Sequence, residues 1–160
     1  MNRPNLFIVG APKCGTTAWY QYLQSHPDIY FPKVKEPHYF CTDFPDFRWA
    51  KTEQDYLANF ADAPAAGIIG EASVQYLYST TAAANIAAFS PAARILVFLR
   101  EPGEFLSSYH NQLLLNLDED IADFAEAWRA SENMQQRKIP NSCREPRLLD
   151  YRSVGCFGEQ

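Results

Sequence analysis

The stretch Leu6-Phe7-Ile8-Val9-Gly10-Ala11-Pro12-Lys13-Cys14-Gly15-Thr16-Thr17 decides the fold. Leu6 to Val9 is a short apolar run rich in strand formers, and Gly10 ends it. From Thr16 the pattern changes. Ala18, Trp19, Tyr22 and Leu23 recur at spacings of three and four, which predicts a helix. Strand, tight loop and helix make the geometry of a phosphate cradle. Gly10 and Gly15 let the backbone turn and approach a ligand closely. The N–H groups of Lys13, Cys14, Gly15, Thr16 and Thr17 lack intrahelical acceptors and are expected to point at an anion, aided by the helix dipole. Lys13 adds a full charge, and Thr16 and Thr17 add hydroxyl donors.

Gly10 and Gly15 have the spacing of the Walker pattern G-x-x-x-x-G-K-[ST], but Thr16 stands where the lysine belongs and the lysine has moved back to position 13. A Walker lysine serves the β- and γ-phosphates, and the next Ser/Thr holds magnesium. The loop therefore reads as a cradle for an anion other than an ATP triphosphate. An ordinary glycine turn between strand and helix is the competing reading.

Working outward, the first helix is expected to stop near Ser25-His26-Pro27, and residues 28–50 to be irregular. Glu53 to Phe60 has helical spacing. Pro64 to Gly67 reads as a turn, and Gly67 to Gly70 as a short buried strand running into Glu71-Ala72-Ser73. Ala82 to Phe89 reads as a helix capped by Ser79, Thr80 or Thr81. Arg94 to Arg100 is a continuous apolar run of buried-parallel type. Pro102 breaks it, and a helix follows from about Gly103 to Leu115. Asp118, Glu119 and Asp120 sit where a further helix start would favour negative charge. That helix carries Ile121, Phe124, Ala125 and Trp128. Glu71 and the three acidic residues are read as cap or surface positions. Strands alternating with helices predict an α/β domain with a central, mainly parallel sheet over residues 1–160. Ligands bind such sheets at the carboxyl ends of strands, where Gly10–Thr17 and Arg100–Ser108 both fall.

With 47% hydrophobic and 21% charged residues among 160, the composition is that of a globular domain. The net charge of −5 leaves no basic field for nucleic acid or a membrane surface, so an anionic ligand needs a local site. The N-terminus enters the first strand without the apolar run of a signal peptide, which makes the cytoplasm the expected location. His26, His38 and His110 have no ligand spacing, nor do Cys14, Cys41, Cys143 and Cys156, so no metal is expected. Cys14 is the reactive candidate, beside Lys13 at a helix start.

Two further groupings carry chemistry. Arg100 ends a strand and Ser108 follows eight positions later, a guanidinium fork and a hydroxyl suited to a phosphate. The alternative is an arginine paired with Glu101 or Glu104. Lys35-Glu36-Pro37-His38 places an ammonium, a carboxylate and an imidazole in a proline-restricted loop. Glu36 is the candidate general base and His38 its competitor.

Together these stretches resemble the sulfotransferases that use 3′-phosphoadenosine 5′-phosphosulfate (PAPS). GAPKCGTT is similar to that family's 5′-phosphosulfate loop, and RILVFLREPGEFLSSYHNQ to its 3′-phosphate motif. KEPHYF resembles the segment carrying the catalytic glutamate in the heparan sulfate and bacterial branch, and GEASVQYLYS the strand and loop that wall the acceptor site. The resemblance runs from residue 5 to about 128. It implies a P-loop NTPase-like three-layer fold and PAPS as co-substrate, without a metal. Lys13 would bind the sulfonate and the leaving oxygen. Cys14, Gly15, Thr16 and Thr17 would hold the 5′-phosphate, and Arg100 and Ser108 the 3′-phosphate. Glu36 would deprotonate a hydroxyl or amine on a small molecule or glycan. Ala72 stands where heparan-type members often carry lysine, which argues against a heparan-like acceptor. YRSVGCFGEQ resembles the lead-in to a further strand and glycine loop, so the chain is expected to be an incomplete copy of the domain. A nucleotide kinase and a non-catalytic nucleotide-binding remnant are the alternatives.

Overall fold

Strand β1 (Leu6–Gly10) is buried at every residue because it lies inside the sheet. The strand order is β2-β3-β1-β4, with β2 (Ile29–Tyr30), β3 (Ile68–Ala72) and β4 (Arg94–Val97), and every pairing is parallel. The structure is a computed structural model that describes residues 2–64 and 67–159. It falls into two units, Met1–Leu99 and Arg100–Gln160. The expected turn at Pro64 to Gly67 lies partly outside the described residues.

Successive side chains of β1 go to opposite faces. Leu6 and Ile8 join Tyr20, Phe31 and Ala72 in a core against helix α1 (Thr16–Gln24). Phe7 faces the other way, into an aromatic layer. There Phe40 packs 5.9 Å from Phe7, 5.2 Å from Tyr56 and 5.1 Å from Phe89, ring centroid to centroid. Each well-oriented pair adds roughly 0.5–1.5 kcal/mol beyond burial itself. Helices α2 (Glu53–Ala58) and α3 (Ala82–Phe89) carry Tyr56 and Phe89, so the sheet lies between two covering layers, as an α/β three-layer fold requires.

Several expectations shift. Of the residues that carry the α1 period, Ala18, Trp19 and Tyr22 are exposed and Leu23 packs partly buried on the core, while Thr16 and Tyr20 are the buried ones. Tyr20 wins the core because its hydroxyl reaches the Pro32 carbonyl while its ring packs on Phe31. Trp19 lies half-exposed over Phe98, stacked at 5.1 Å. Within the irregular stretch 28–50 the two-residue strand β2 forms. Strand β4 stops at Val97 rather than Arg100, and it is not buried on both faces. Among the described residues it lies at the edge of the sheet: Leu96 and Phe98 pack on the α1-side core, while Ile95, Val97 and Leu99 stay about half exposed. Helix α3 begins where expected. The cap is the Ser79 hydroxyl, which accepts from the Ala82 N–H at 3.0 Å, rather than the Thr81 side chain.

In the second unit, helix α4 (Pro102–Leu115) starts with Pro102 in its first turn. The Glu101 side chain caps it by accepting from the Gly103 and Glu104 amides at 3.0 and 2.8 Å. Helix α5 (Phe124–Ser131) is capped by Asp123, not by the acidic run before it. Asp118 and Glu119 are buried instead of lying at a cap or on the surface. Each has an arginine from a distant part of the chain: Arg144 Nη2 lies 2.7 Å from Asp118 Oδ2, and Arg137 pairs with Glu119. Asp120 alone of the three is exposed. Helix α6 (Tyr151–Gly155) brings Tyr151 to His110 and Glu119.

Candidate active site

Gly10 leaves β1 at φ 148°, and a Cβ there would meet the Val74 carbonyl oxygen at 2.8 Å. Only glycine fits that approach. Gly15, at φ 78°, is the N-cap of α1 and gives it no side-chain cap; a Cβ there would meet nothing within 4 Å. The Thr16 and Thr17 amides are therefore left without intrahelical acceptors, on an open side of the helix start. The Cys14 amide differs from expectation: it donates to the Ala11 carbonyl at 3.4 Å, within the loop's own turn. Lys13 takes a left-handed backbone at φ 62°. Thr16 is buried, and Thr17 is exposed. The cysteines are thiols rather than disulfides.

The segment Lys35–Phe40 hangs from the carboxyl end of β3. The Glu36 amide donates to the Ala72 carbonyl at 2.9 Å, and the His38 amide to Ser73 Oγ at 3.0 Å. The Phe40 amide reaches Tyr76 Oη at 3.4 Å. These bonds hold Glu36 and His38 at φ 63° and 50°, a conformation that costs a side-chain-bearing residue about 1–2 kcal/mol. Such strain persists only where the surroundings over-determine it.

Among the described residues, the Lys35 ammonium links the segment to the residues of the Gly10–Thr17 stretch. Lys35 Nζ lies 2.5 Å from Glu36 Oε1 and 3.2 Å from Thr17 Oγ1. His38 Nε2 stands 3.5 Å from Glu36 Oε2. Burial pushes the Glu36 carboxyl up, but the His38 and Lys35 contacts outweigh it and hold the group down at about 2. The His38 ring is itself buried, and its Nδ1 has no hydrogen-bond partner among the described residues. With one nitrogen on Glu36 and the other enclosed, His38 is placed as a partner of Glu36.

Glu71 is the residue that sequence reading misplaced. It is 1% exposed, not a cap or surface group. It pairs with Phe7 in register and so points into the aromatic layer. Its Oε2 accepts from Tyr76 Oη at 2.7 Å and Tyr56 Oη at 3.3 Å, while Oε1 has no partner among the described residues. Burial drives its carboxyl up to about 7, against the opposing influence of Ser73 and the two tyrosine hydroxyls. The signal was present: a carboxylate inside an apolar strand, two positions before Ser73 and five before Tyr76, alternates onto an inward face.

Arg100 and Ser108 belong to the second unit. Arg100 lies three residues past the end of β4 and pairs with Glu104, Nε to Oε2 2.9 Å, as the alternative reading foresaw. Both side chains are largely exposed. Such a pair contributes little and leaves the guanidinium open to a stronger anion. Ser108 is half-buried on α4. Among the described residues no group of three or more His, Cys, Asp or Glu is arranged for a metal ion, and no helix is long and apolar enough to cross a membrane.

This chain is 29% identical to the carbohydrate sulfotransferase 15 of Mus musculus, an alignment covering 96% of this chain and 33% of that protein. It is 33% identical to a membrane-associated sulfotransferase of Dictyostelium discoideum over 67% of this chain and 22% of that protein. The crystal structure of a sulfotransferase from Alicyclobacillus acidocaldarius superposes with a TM-score of 0.83 at 32% identity, covering 99% of this chain and 66% of that one. The chain thus spans about a third of the length of the mouse protein. No family model matches it.

Proposed function

Because this chain belongs to the sulfotransferase family, we propose that it transfers a sulfuryl group from PAPS to a hydroxyl or amine of a glycan or small-molecule acceptor. The observation that carries this reading is the Lys35 bridge. It sets a carboxylate one side chain away from an anion-binding helix start.

In this reaction the acceptor's oxygen or nitrogen bonds to sulfur as the bond from sulfur to the 5′-phosphate oxygen breaks. The electron pair of that bond leaves on the phosphate oxygen. The acceptor's proton passes to Glu36, and the products are sulfated acceptor and adenosine 3′,5′-bisphosphate (PAP). Charge develops on the leaving oxygen, so a cation aimed there, Lys13, stabilises the transition state. Thr16 and Thr17, with the loop amide of Gly15, take the 5′-phosphate. Arg100 and Ser108 take the 3′-phosphate, with Arg100 released from Glu104. His38 orients Glu36. A cavity of about 520 Å³ is lined by Tyr30, Lys33, Val34 and Asn59; Val34 precedes Glu36 by two positions in sequence, and we take this cavity as the candidate acceptor pocket. The carbohydrate sulfotransferase relatives favour a glycan there.

Calorimetric titration of the chain with PAP, and separately with ATP and magnesium, tests the donor reading. PAP is expected to bind without magnesium and ATP with magnesium to bind weakly. The reverse preference would replace this reading with a nucleotide kinase.

A further inference from the structure

We propose that Lys35 is a positioning residue that ties donor occupancy to the base: it holds Glu36 before the donor arrives, and passes to the donor's 5′ anionic groups afterwards. This rests on the reading of the Gly10–Thr17 loop as the donor site.

The geometry is that of a cation between two claims. Lys35 Nζ is 2.5 Å from Glu36 Oε1 and 3.2 Å from Thr17 Oγ1. Thr17 is the second residue of α1, so its hydroxyl marks the edge of the anion-facing helix start. An ammonium carries three donors and no acceptor, and it can serve both oxygens at once. A phosphate or sulfonate seated on the Thr16 and Thr17 amides brings more negative charge to Nζ than one carboxylate does. The lysine stem needs only a rotation to follow it, where a planar guanidinium would have to break a fixed fork. The Lys35 side chain is 19% exposed, so water screens this competition only in part.

The consequence falls on Glu36. Burial raises its proton affinity, the His38 ring at 3.5 Å and Lys35 lower it, and the buried Glu71 carboxyl is coupled to it. Paired with Lys35, Glu36 is a weak proton acceptor, and a general base works best with its affinity near the working pH. Moving the ammonium to the donor leaves Glu36 with His38 and Glu71 alone, and its affinity for a proton rises. The base is thereby strengthened only when the donor site is occupied.

The test follows the Glu36 side-chain carboxyl by ¹³C NMR in the whole chain, its signal assigned by loss in Glu36→Gln. The carboxyl is titrated with and without saturating PAP, and PAP binding is measured in parallel by calorimetry. Without PAP, Glu36 should stay ionised down to about pH 2 or to the lowest pH at which the fold persists. With PAP its midpoint should rise by at least about one unit, a tenfold gain in proton affinity. Lys35→Met should raise the midpoint without PAP and remove the further rise. Lys35→Arg should keep it low in both states. The wild-type pair of titrations stands even if a variant fails to fold. PAP binding with an unmoved midpoint overturns the switch and leaves the donor site intact. Absence of PAP binding overturns both.

Discussion

Tyr76 Oη donates to Glu71 Oε2 across 2.7 Å, inside the aromatic layer beneath the Lys35–Phe40 segment. The same hydroxyl accepts from the Phe40 amide, so one buried carboxyl helps fix the segment that carries Glu36.

The burial of that carboxyl predicts an unusual pH dependence. The Glu71 carboxyl is raised by burial to about 7, from an ordinary value of 4.5. Between those values the folded protein holds a proton that the unfolded chain has lost. Its contribution to stability is therefore complete below about pH 4.5 and falls as pH rises through 7. The loss across the window is on the order of 3 kcal/mol. Urea unfolding at pH 5 and pH 8 should show a smaller decline for Glu71→Gln than for the wild type. Equal declines would remove Glu71 as the source.

At the proposed reaction centre, Glu36→Gln should bind PAP more tightly, because Lys35 is released to the donor, yet lose about 10²-fold or more in turnover, because the amide cannot take the acceptor's proton. His38→Ala should cost less, since that ring acts through Glu36. Lys13→Ala should impair both turnover and PAPS binding, its charge meeting the sulfonate before and during transfer. Turnover with a sulfated-product assay, beside PAP calorimetry, separates the three. A near-wild-type Glu36→Gln enzyme with an inactive His38→Ala enzyme would give the base role to His38.

Arg100→Ala should weaken PAP binding by roughly ten- to a hundred-fold, the loss of a charged bidentate contact. Adenosine 5′-phosphosulfate lacks the 3′-phosphate and should bind both proteins alike. Glu104→Gln should strengthen PAP binding modestly, since it frees the guanidinium from its 2.9 Å partner. Equal weakening of both ligands by Arg100→Ala would move the 3′-phosphate elsewhere.

Away from the site, the Arg137–Glu119 pair is almost wholly buried, with side chains 2% and 0% exposed. Arg137→Ala strands a carboxylate and should cost about 3–5 kcal/mol of stability. The double change Arg137→Met with Glu119→Gln should cost clearly less, because no charge is left behind. Urea midpoints of the two variants check this.

What the sequence disclosed divides by distance along the chain. The β1–loop–α1 unit was legible because its signals, an apolar run, two glycines and a helical period, are local. Lys35, Glu36 and His38 were legible as a group for the same reason. The reach of Lys35 to Thr17 was not, since eighteen residues separate them. Glu71, Asp118 and Glu119 were misread as cap or surface groups. Their partners lie in other elements: Tyr56 on α2, Arg144 twenty-six residues beyond Asp118, and Arg137 eighteen beyond Glu119. Local propensity treats a carboxylate as solvated until a distant donor is known. The half-exposed β4 failed differently. A continuous apolar run fits both a central and an edge strand, and only strand order tells them apart.

Lys13, Glu36 and His38 share a backbone conformation in which glycine would rest more easily. A chain selected only to persist would drift toward glycine at all three positions. Natural variation and directed screens for thermal endurance should therefore push against chemistry here. A hardier descendant carrying glycine at any of the three would be a good protein and a poor enzyme.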